Sequence, residues 1–399
     1  MLDPEEAWQA LLPHVAALDS EHLNRRAAAG RVLAASVAAT GDLPSCDISA
    51  LDGFALAGEA GVDGRFAIIG TRFAGDPERQ PALAIGCALR IMTGAALPHG
   101  ADRVVGVEET SVEGGAVRIR TAVPAGAAIR RRGEIFRLSE EILPRGAVLT
   151  PAALALLASQ GIEEVETHRA PRIALLLTGN EVVPATATPA AGEVRDSHSD
   201  FLLAELRRLG LAPEVLGIAR DEPDALARQL RKGLEAADVM ISCGGVSMGE
   251  ADFLAPVLRE LGFETLFHGV AIQPGKPLLV ARRGRKIVFG LPGNPASVMV
   301  AYWLFVRPGL QRMLGGEASF WGGALSGILG GALSAGRGRD RFVPAVLRYV
   351  DGGAVLVPLS PRGSHDLLTF GNASALLRVR AGASAQLPGD RCDWIALRD

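Results

Sequence analysis

Cysteine is scarce and scattered: Cys46, Cys87, Cys243 and Cys392 are the only four in 399 residues, and none forms a CxxC pair. Small disulfide-stapled folds and structural zinc modules both need clustered cysteines, so neither is expected, and the usage fits a reducing cytosol. An excess of charge of one sign is also lacking. With 41 Lys and Arg against 44 Asp and Glu, the formal net charge is −3, which gives no global pull toward nucleic acid or an anionic membrane. Anion binding must therefore come from local clusters. The densest is Arg130-Arg131-Arg132, which reads equally well as a phosphate contact and as a solvated loop face. No stretch has the length and purity of a membrane span. The acidic, helix-like start Asp3–Leu18 has neither the basic onset nor the unbroken apolar core of a signal peptide. No repeat of solenoid length is present.

What is present is ample apolar material: 48% hydrophobic against 21% charged residues marks a globular chain. At this length one core is improbable, and roughly two to four domains are expected. Leu11, Leu12, Val15 and Leu18 recur with helical spacing, and a second helical run begins at Pro151, a residue suited to a first turn. Between them the chain is rich in glycine, proline and short β-like runs such as Phe66–Ile69 and Arg103–Val107. From Ile173 the pattern changes. Ile173–Leu177, Val215–Ala219, Val239–Ser242 and Ile287–Gly290 read as buried strands. They alternate with amphipathic helices carrying Leu202, Leu203, Leu206 and Leu209, then Leu226, Leu230 and Leu234, the latter started by Pro223. Strand–helix–strand order favours a mainly parallel sheet covered on both sides. Beyond Gly315, Phe342–Tyr349, Ala354–Pro358 and Ala375–Arg380 read as strands.

The expected architecture is multidomain α/β plus β. A helical linker region comprises residues 1–37 plus 142–168, and an inserted β-rich domain covers 38–141. A mainly parallel three-layer α/β domain follows over 169–314, and a C-terminal β domain over 315–399.

Two glycine-rich loops carry the chemistry. Ser242–Asp252 leaves a strand and enters a helix, so its glycines allow close backbone approach and its helix-start N–H groups can stabilise an anion. A Gly-Gly turn alone is more often structural, but Ser247, Glu250 and Asp252 add polar groups here. Asp252 and Glu250 have the hard oxygen donors that suit Mg²⁺, and equally the character of helix caps, the reading favoured for Glu250. Gly290–Ser297 likewise joins a strand to a helix through a stiff turn. Between them Gln273-Pro274-Gly275-Lys276-Pro277 sets a cation between two prolines, where Lys276 can neutralise phosphate or another oxyanion. His198 reads as part of a capping segment. His365-Asp366 lacks the nucleophile motif of a hydrolase.

Seven signatures occur in one order: Ser49-Ala50-Leu51-Asp52-Gly53-Phe54, Ile91-Met92-Thr93-Gly94-Ala95, Arg131-Arg132-Gly133-Glu134, Thr178-Gly179-Asn180-Glu181, Ser242–Asp252, Pro274–Pro277 and Gly290–Ser297. In these the chain resembles the molybdopterin molybdenumtransferase family, called MoeA in bacteria and represented by the gephyrin E domain in animals. The resemblance extends over nearly the whole chain. It implies insertion of molybdate into adenylylated molybdopterin (molybdopterin-AMP) with release of AMP, assisted by Mg²⁺, in a cytoplasmic enzyme. By motif position it implies catalytic roles for Asp52, Thr93, Glu181, Asp221, Asp252 and Lys276, with Asp52, Glu181, Asp221 and Asp252 as metal ligands. Molybdopterin binding falls to Ser242, Gly244, Gly245, Ser247, Gly249, Pro292, Gly293, Asn294 and Pro295. The 169–314 region becomes the molybdopterin-binding domain. A homodimer is implied, with molybdopterin adenylyltransferase and molybdoenzyme apoproteins as partners, and neither nucleic acid nor membrane.

The chain departs from the family pattern at four places. Ile48 replaces a common Asn, Ile135 a common Asp, Asn180 the Asp of Thr-Gly-Asp-Glu, and Gln273 a position that is often basic. The polar groups lost at Ile135 and Asn180 motivate one alternative, a divergent molybdopterin- or partner-binding paralogue with weak catalysis; a further alternative of another class is a molybdopterin adenylyltransferase that uses the α/β domain.

Overall fold

The computed structural model describes residues 1–77, 82–246, 253–350 and 353–397. They fall into two compact units, one built from Met1–Leu23, Gly30–Ala34 and Glu166–Asp399, the other from Asn24–Ala29 and Ala35–Val165.

The first unit is organised by a six-stranded sheet in the order Glu214–Ala219, Ile173–Thr178, Val239–Cys243, Lys286–Leu291, Leu279–Arg283, Glu264–His268. The first four strands run parallel, and the last two join antiparallel. Alternation of side chains sorts the strand residues onto two faces. Ile173, Leu175 and Leu177 enter one core with Leu202 and Leu206 of helix His198–Arg208. Ala174 and Leu176 enter the other with Leu226, Leu230 and Leu234 of helix Pro223–Ala236. Both faces are thus covered and the arrangement is three-layered, as the apolar periodicity predicts.

One expectation changes. The run Val215–Ala219 is not a fully buried strand: Val215 is 45% exposed, because its strand lies at the sheet edge and pairs on one side only.

The helical spacing of Leu11, Leu12, Val15 and Leu18 does not continue as one helix: helix Pro4–Leu11, opened by a capping box in which the Asp3 carboxylate accepts from the Glu6 N–H at 2.7 Å, ends at the first of them. Pro13 removes the next backbone donor, the chain tightens to a 3₁₀ turn over Leu12–His14, and Leu11, Val15 and Leu18 are buried in the core that also holds Leu175.

Further along the same unit, five strands close a ring: Asp340–Val350, Gly353–Pro358, Leu325–Leu329, Arg391–Ala396 and Ala375–Val379, the last pairing back to the first. Its interior is filled by Leu329, Val343, Leu356, Leu377 and Trp394. Closure removes free edges. The short strand Ile272–Gln273 adds to Asp340–Val350 in parallel.

The second unit is a six-stranded sheet in the order Arg103–Gly106, Gly53–Leu56, Cys87–Ile91, Arg65–Arg72, Ala116–Ile119, Thr110–Glu113, with Phe54, Leu56, Phe66, Val105, Val117 and Ile119 in one core. The runs Phe66–Ile69 and Arg103–Val107 supply two of these strands. Helix Pro151–Ser159 starts on the proline, capped by the Thr150 hydroxyl accepting from the Ala153 N–H at 3.2 Å. No helix among the described residues is long and apolar enough to cross a membrane.

Candidate functional site

The parallel strands end at Thr178, Ala219, Cys243 and Leu291. In open α/β sheets the crevice outside these carboxyl ends is where ligands bind, because the following loops present backbone donors there. Here that crevice is a cavity of about 630 Å³, bordered by Glu181, Asp221, Gly244, Gly245 and the turn Pro292, Gly293, Asn294 and Pro295. The strand-end loops therefore bring together eight residues expected from sequence.

Gly244 shows why this loop must be glycine. Its φ is +95°, and a Cβ there would lie 2.6 Å from both the carbonyl and the hydroxyl oxygen of Thr178. Only a residue without a side chain lets the loop turn this tightly against the neighbouring strand. Ser242, by contrast, does not border the cavity. It lies inside strand Val239–Cys243, fully buried, and its hydroxyl has no hydrogen-bond partner among the described residues. Ser247, Gly249 and Asp252, and with them Glu250, lie outside the described residues.

Asp221 and Asn180 hold each other across the mouth of the sheet. The Asn180 backbone N–H donates to Asp221 Oδ2 at 3.3 Å, and the Asp221 backbone N–H donates to Asn180 Oδ1 at 3.2 Å. The Asp221 carboxyl is pushed above its ordinary range, first by burial, with the negative charge of Glu181 adding to the effect and hydrogen bonds from Asn180 and Thr178 opposing it. Two carboxylates on one cavity wall have the hard oxygen donors that suit a divalent cation. Among the described residues no group of three or more His, Cys, Asp or Glu side chains is placed to hold a metal ion.

Further polar residues border the cavity that motif reading gave little or no weight: Arg195, Asp196, Ser197, His198 and His365. Asp196 Oδ1 accepts from the backbone N–H groups of His198 at 2.9 Å and Ser199 at 3.0 Å, so Asp196 rather than Ser197 caps the helix. Burial lowers the pKa of His198, partly offset by the charge of Asp196. His365 comes from the turn before helix Leu367–Gly371, which Asp366 caps by accepting from Thr369. The signal available in sequence was position: Asp196 and His198 stand at a strand-to-helix junction of the α/β region.

Lys276 lies elsewhere. It is exposed and borders a second cavity of about 580 Å³ together with Gln273, Ser297, Arg339, Arg341 and Ser364. Pro277 and Asn294 border both cavities. The cationic wall of the second cavity complements the acidic wall of the first.

Asp52 and Thr93 belong to the other unit. The Thr93 backbone N–H and hydroxyl donate to Asp52 Oδ1 at 2.7 and 2.8 Å, and these bonds, the backbone one foremost, lower the Asp52 pKa. Their positions are fixed by strands. Gly53 pairs with Ile91 and Gly106, and a Cβ on Gly53 would meet the Val105 carbonyl oxygen at 2.0 Å. In the same unit the arginine cluster is compensated locally, Arg131 by Asp47 at 2.6 Å and Arg132 by Asp42 at 2.5 Å. Ile135 is 64% exposed, and neighbouring Glu134 spends its carboxylate accepting the Arg131 N–H at 2.7 Å. Glu134 is thus engaged within its own turn.

Three family models match consecutive parts of the chain: the MoeA N-terminal region (domain I and II) over residues 2–161, a probable molybdopterin binding domain over 174–312, and the MoeA C-terminal region (domain IV) over 326–397. A molybdopterin molybdenumtransferase of Nostoc sp. is 36% identical over 319 residues, covering 76% of this chain and 71% of the relative. The chain belongs to the molybdopterin molybdenumtransferase family. A second member, from Synechococcus elongatus, is 40% identical over 292 residues, covering 70% of this chain and 72% of its own length. A solved molybdopterin biosynthesis MoeA protein of Pyrococcus horikoshii aligns over 100% of both chains with a TM-score of 0.82 and 28% identity. Within this family framework the strand-end cavity is bordered mostly by the probable molybdopterin binding domain, with His365 and Leu367 coming from the C-terminal region, and Asp52 and Thr93 fall in the N-terminal region.

Proposed function

We propose that this chain is a transferase of molybdenum-cofactor biosynthesis that inserts molybdate into adenylylated molybdopterin, cleaving the phosphoanhydride and releasing AMP. The observation carrying this reading is the strand-end cavity, where glycine backbone and two carboxylates meet inside the region matched by a molybdopterin-binding family model. The reaction gathers several anions in one place, so fixed donors that need no reorganisation are the main requirement. The backbone of Gly244, Gly245 and the Pro292–Pro295 turn offers a close-approach surface for phosphate. Lys276, with Arg339 and Arg341, gives the adjoining cavity the charge that a molybdate oxyanion needs.

Glu181 and Asp221 have the donor chemistry to hold Mg²⁺, and Asp252, which lies outside the described residues, joins them in this proposal by motif position. Bound there, Mg²⁺ supplies charge neutralisation at the phosphoanhydride. The resident side chains do the rest: the Asn180 amide fixes the Asp221 backbone, and the Thr93 hydroxyl fixes the Asp52 carboxylate. We further propose a cytoplasmic homodimer that receives its substrate from a molybdopterin adenylyltransferase and delivers to molybdoenzyme apoproteins. Light scattering at working concentration tests the dimer, and a monomer counts against it.

The test of function supplies adenylylated molybdopterin, molybdate and Mg²⁺ and measures AMP release and cofactor formation. A second reading, a divergent binding paralogue with weak catalysis, is favoured by one observation: an exposed Ile135 stands where the family pattern carries a carboxylate. Binding without molybdate-dependent turnover would decide for it. ATP-dependent adenylylation of free molybdopterin would instead identify an adenylyltransferase.

A further inference from the structure

His268 ends the edge strand Glu264–His268, on the side of the sheet remote from Asp221. Its ring Nε2 lies 3.1 Å from the carbonyl oxygen of Val246. A carbonyl oxygen only accepts, so Nε2 carries the proton in this contact and the ring donates. Val246 borders the strand-end cavity beside Gly244 and Gly245, and its side chain is packed with Leu254 and Leu279 in the core behind it. The carbonyl is therefore held from outside the loop, by a residue 22 positions away in sequence.

The two residues after His268 hold a different loop. The Gly269 N–H donates to the Leu278 carbonyl at 2.9 Å, and the Val270 N–H donates to the Lys276 carbonyl at 2.9 Å. Three consecutive residues thus grip the glycine loop of one cavity and the lysine loop of the other. The segments they grip differ in kind. Gly269 and Val270 bond to the lysine-loop segment through main chain, which any sequence can do, whereas the Val246 carbonyl is gripped through a side chain, which only a donor of the right reach can do.

We propose that His268 is a positioning residue for the transferase: its Nε2–H fixes the Val246 carbonyl and thereby holds the segment Gly244–Val246 in register with the Lys276 loop. His268 is not among the described residues that border either cavity. Its effect is on the relative placement of two anion-handling surfaces that one substrate pair must use together, where small misplacements are costly. The proposal rests on the function given above.

The test compares His268→Leu with His268→Gln in the full chain. Glutamine Nε2 sits at a similar reach and can donate to the same carbonyl, whereas leucine fills the space without a donor. The expected result is a KM for adenylylated molybdopterin raised about fivefold in H268L, the order of one net hydrogen bond, with kcat changed less. H268Q is expected to return KM to near the wild-type value at an unchanged Tm. Equal KM in all three proteins, or equal impairment of H268Q and H268L at equal Tm, would overturn the proposal. Absence of turnover in the wild-type protein would refute the assigned function instead, and hydrogen exchange then reads the tether directly. Faster exchange at residues 244–246 in H268L but not in H268Q supports it, and identical exchange overturns it.

Discussion

Asn180 and Asp221 exchange two hydrogen bonds, each backbone N–H donating to the other's side chain, at 3.3 and 3.2 Å. The asparagine thus keeps the acceptor that an aspartate at this position would have offered, while omitting a negative charge beside two carboxylates. Asn180→Asp should retain the geometry and add repulsion, raising the Asp221 pKa further. The acid limb of the pH–rate profile is expected to move to higher pH. An unmoved limb with normal stability would show that position 180 is electrostatically silent.

Asp221→Asn separates stability from function. A carboxyl whose folded pKa is raised binds its proton more tightly folded than unfolded, so ionisation weakens the fold once pH rises above the unfolded carboxylate range. Removing that carboxylate should therefore raise Tm at pH 7 while lowering turnover by at least about tenfold, the scale of a displaced charge-stabilising group. Calorimetry together with AMP release checks both halves. A drop in both would mean that the carboxylate is chiefly structural.

His198 should give stability an acid limb of its own. Burial lowers its folded pKa from an ordinary value of 6.5, so the unfolded chain takes up the proton first and stability falls as pH drops below that value. His198→Gln cannot titrate and should flatten the dependence of Tm on pH between about 6.5 and the depressed pKa. A slope identical to wild type would place the responsible group elsewhere.

Gly244→Ala places a methyl against Thr178 at a φ that side chains rarely adopt. The expected loss is about 2 kcal/mol or more, read from the denaturant midpoint, accompanied by loss of molybdopterin binding. Alanine tolerated without cost would show that the loop relaxes outward.

Ile135→Asp should be nearly free of structural cost, within about 0.5 kcal/mol, because the side chain is largely exposed and the backbone bond to the Leu43 carbonyl does not depend on it. Restoring a carboxylate is expected to raise molybdate-dependent turnover. Unchanged turnover at unchanged stability would show that the remaining carboxylates suffice.

Periodicity made the α/β layer readable, because strands buried on both faces have no polar positions and their helices expose one apolar stripe; Leu202 with Leu206, and Leu226 with Leu230 and Leu234, reached the two cores they implied. The edge position of Val215 was not readable, since an apolar run carries no mark of how many neighbours its strand will have. Glycine spacing marked Gly244 and Gly245 as cavity residues, but proximity in a motif could not tell a wall residue from the buried Ser242 beside them. His198 and His365 enter one cavity from segments 167 positions apart (365 minus 198), a convergence only the tertiary fold creates. The 274–277 loop marks Lys276 as a candidate anion contact, yet its place at the neighbouring cavity depends on how that loop leaves the sheet.

Pro277 and Asn294 form a party wall between the two cavities. A ligand that presses on that wall from one side changes the fit offered on the other, and the effect must run equally in both directions, because coupling of two affinities is reciprocal. If the cavities take the oxyanion and the pterin phosphate as proposed, selectivity for one and affinity for the other are not independently adjustable traits: a substitution at Asn294 that alters one should carry the other with it.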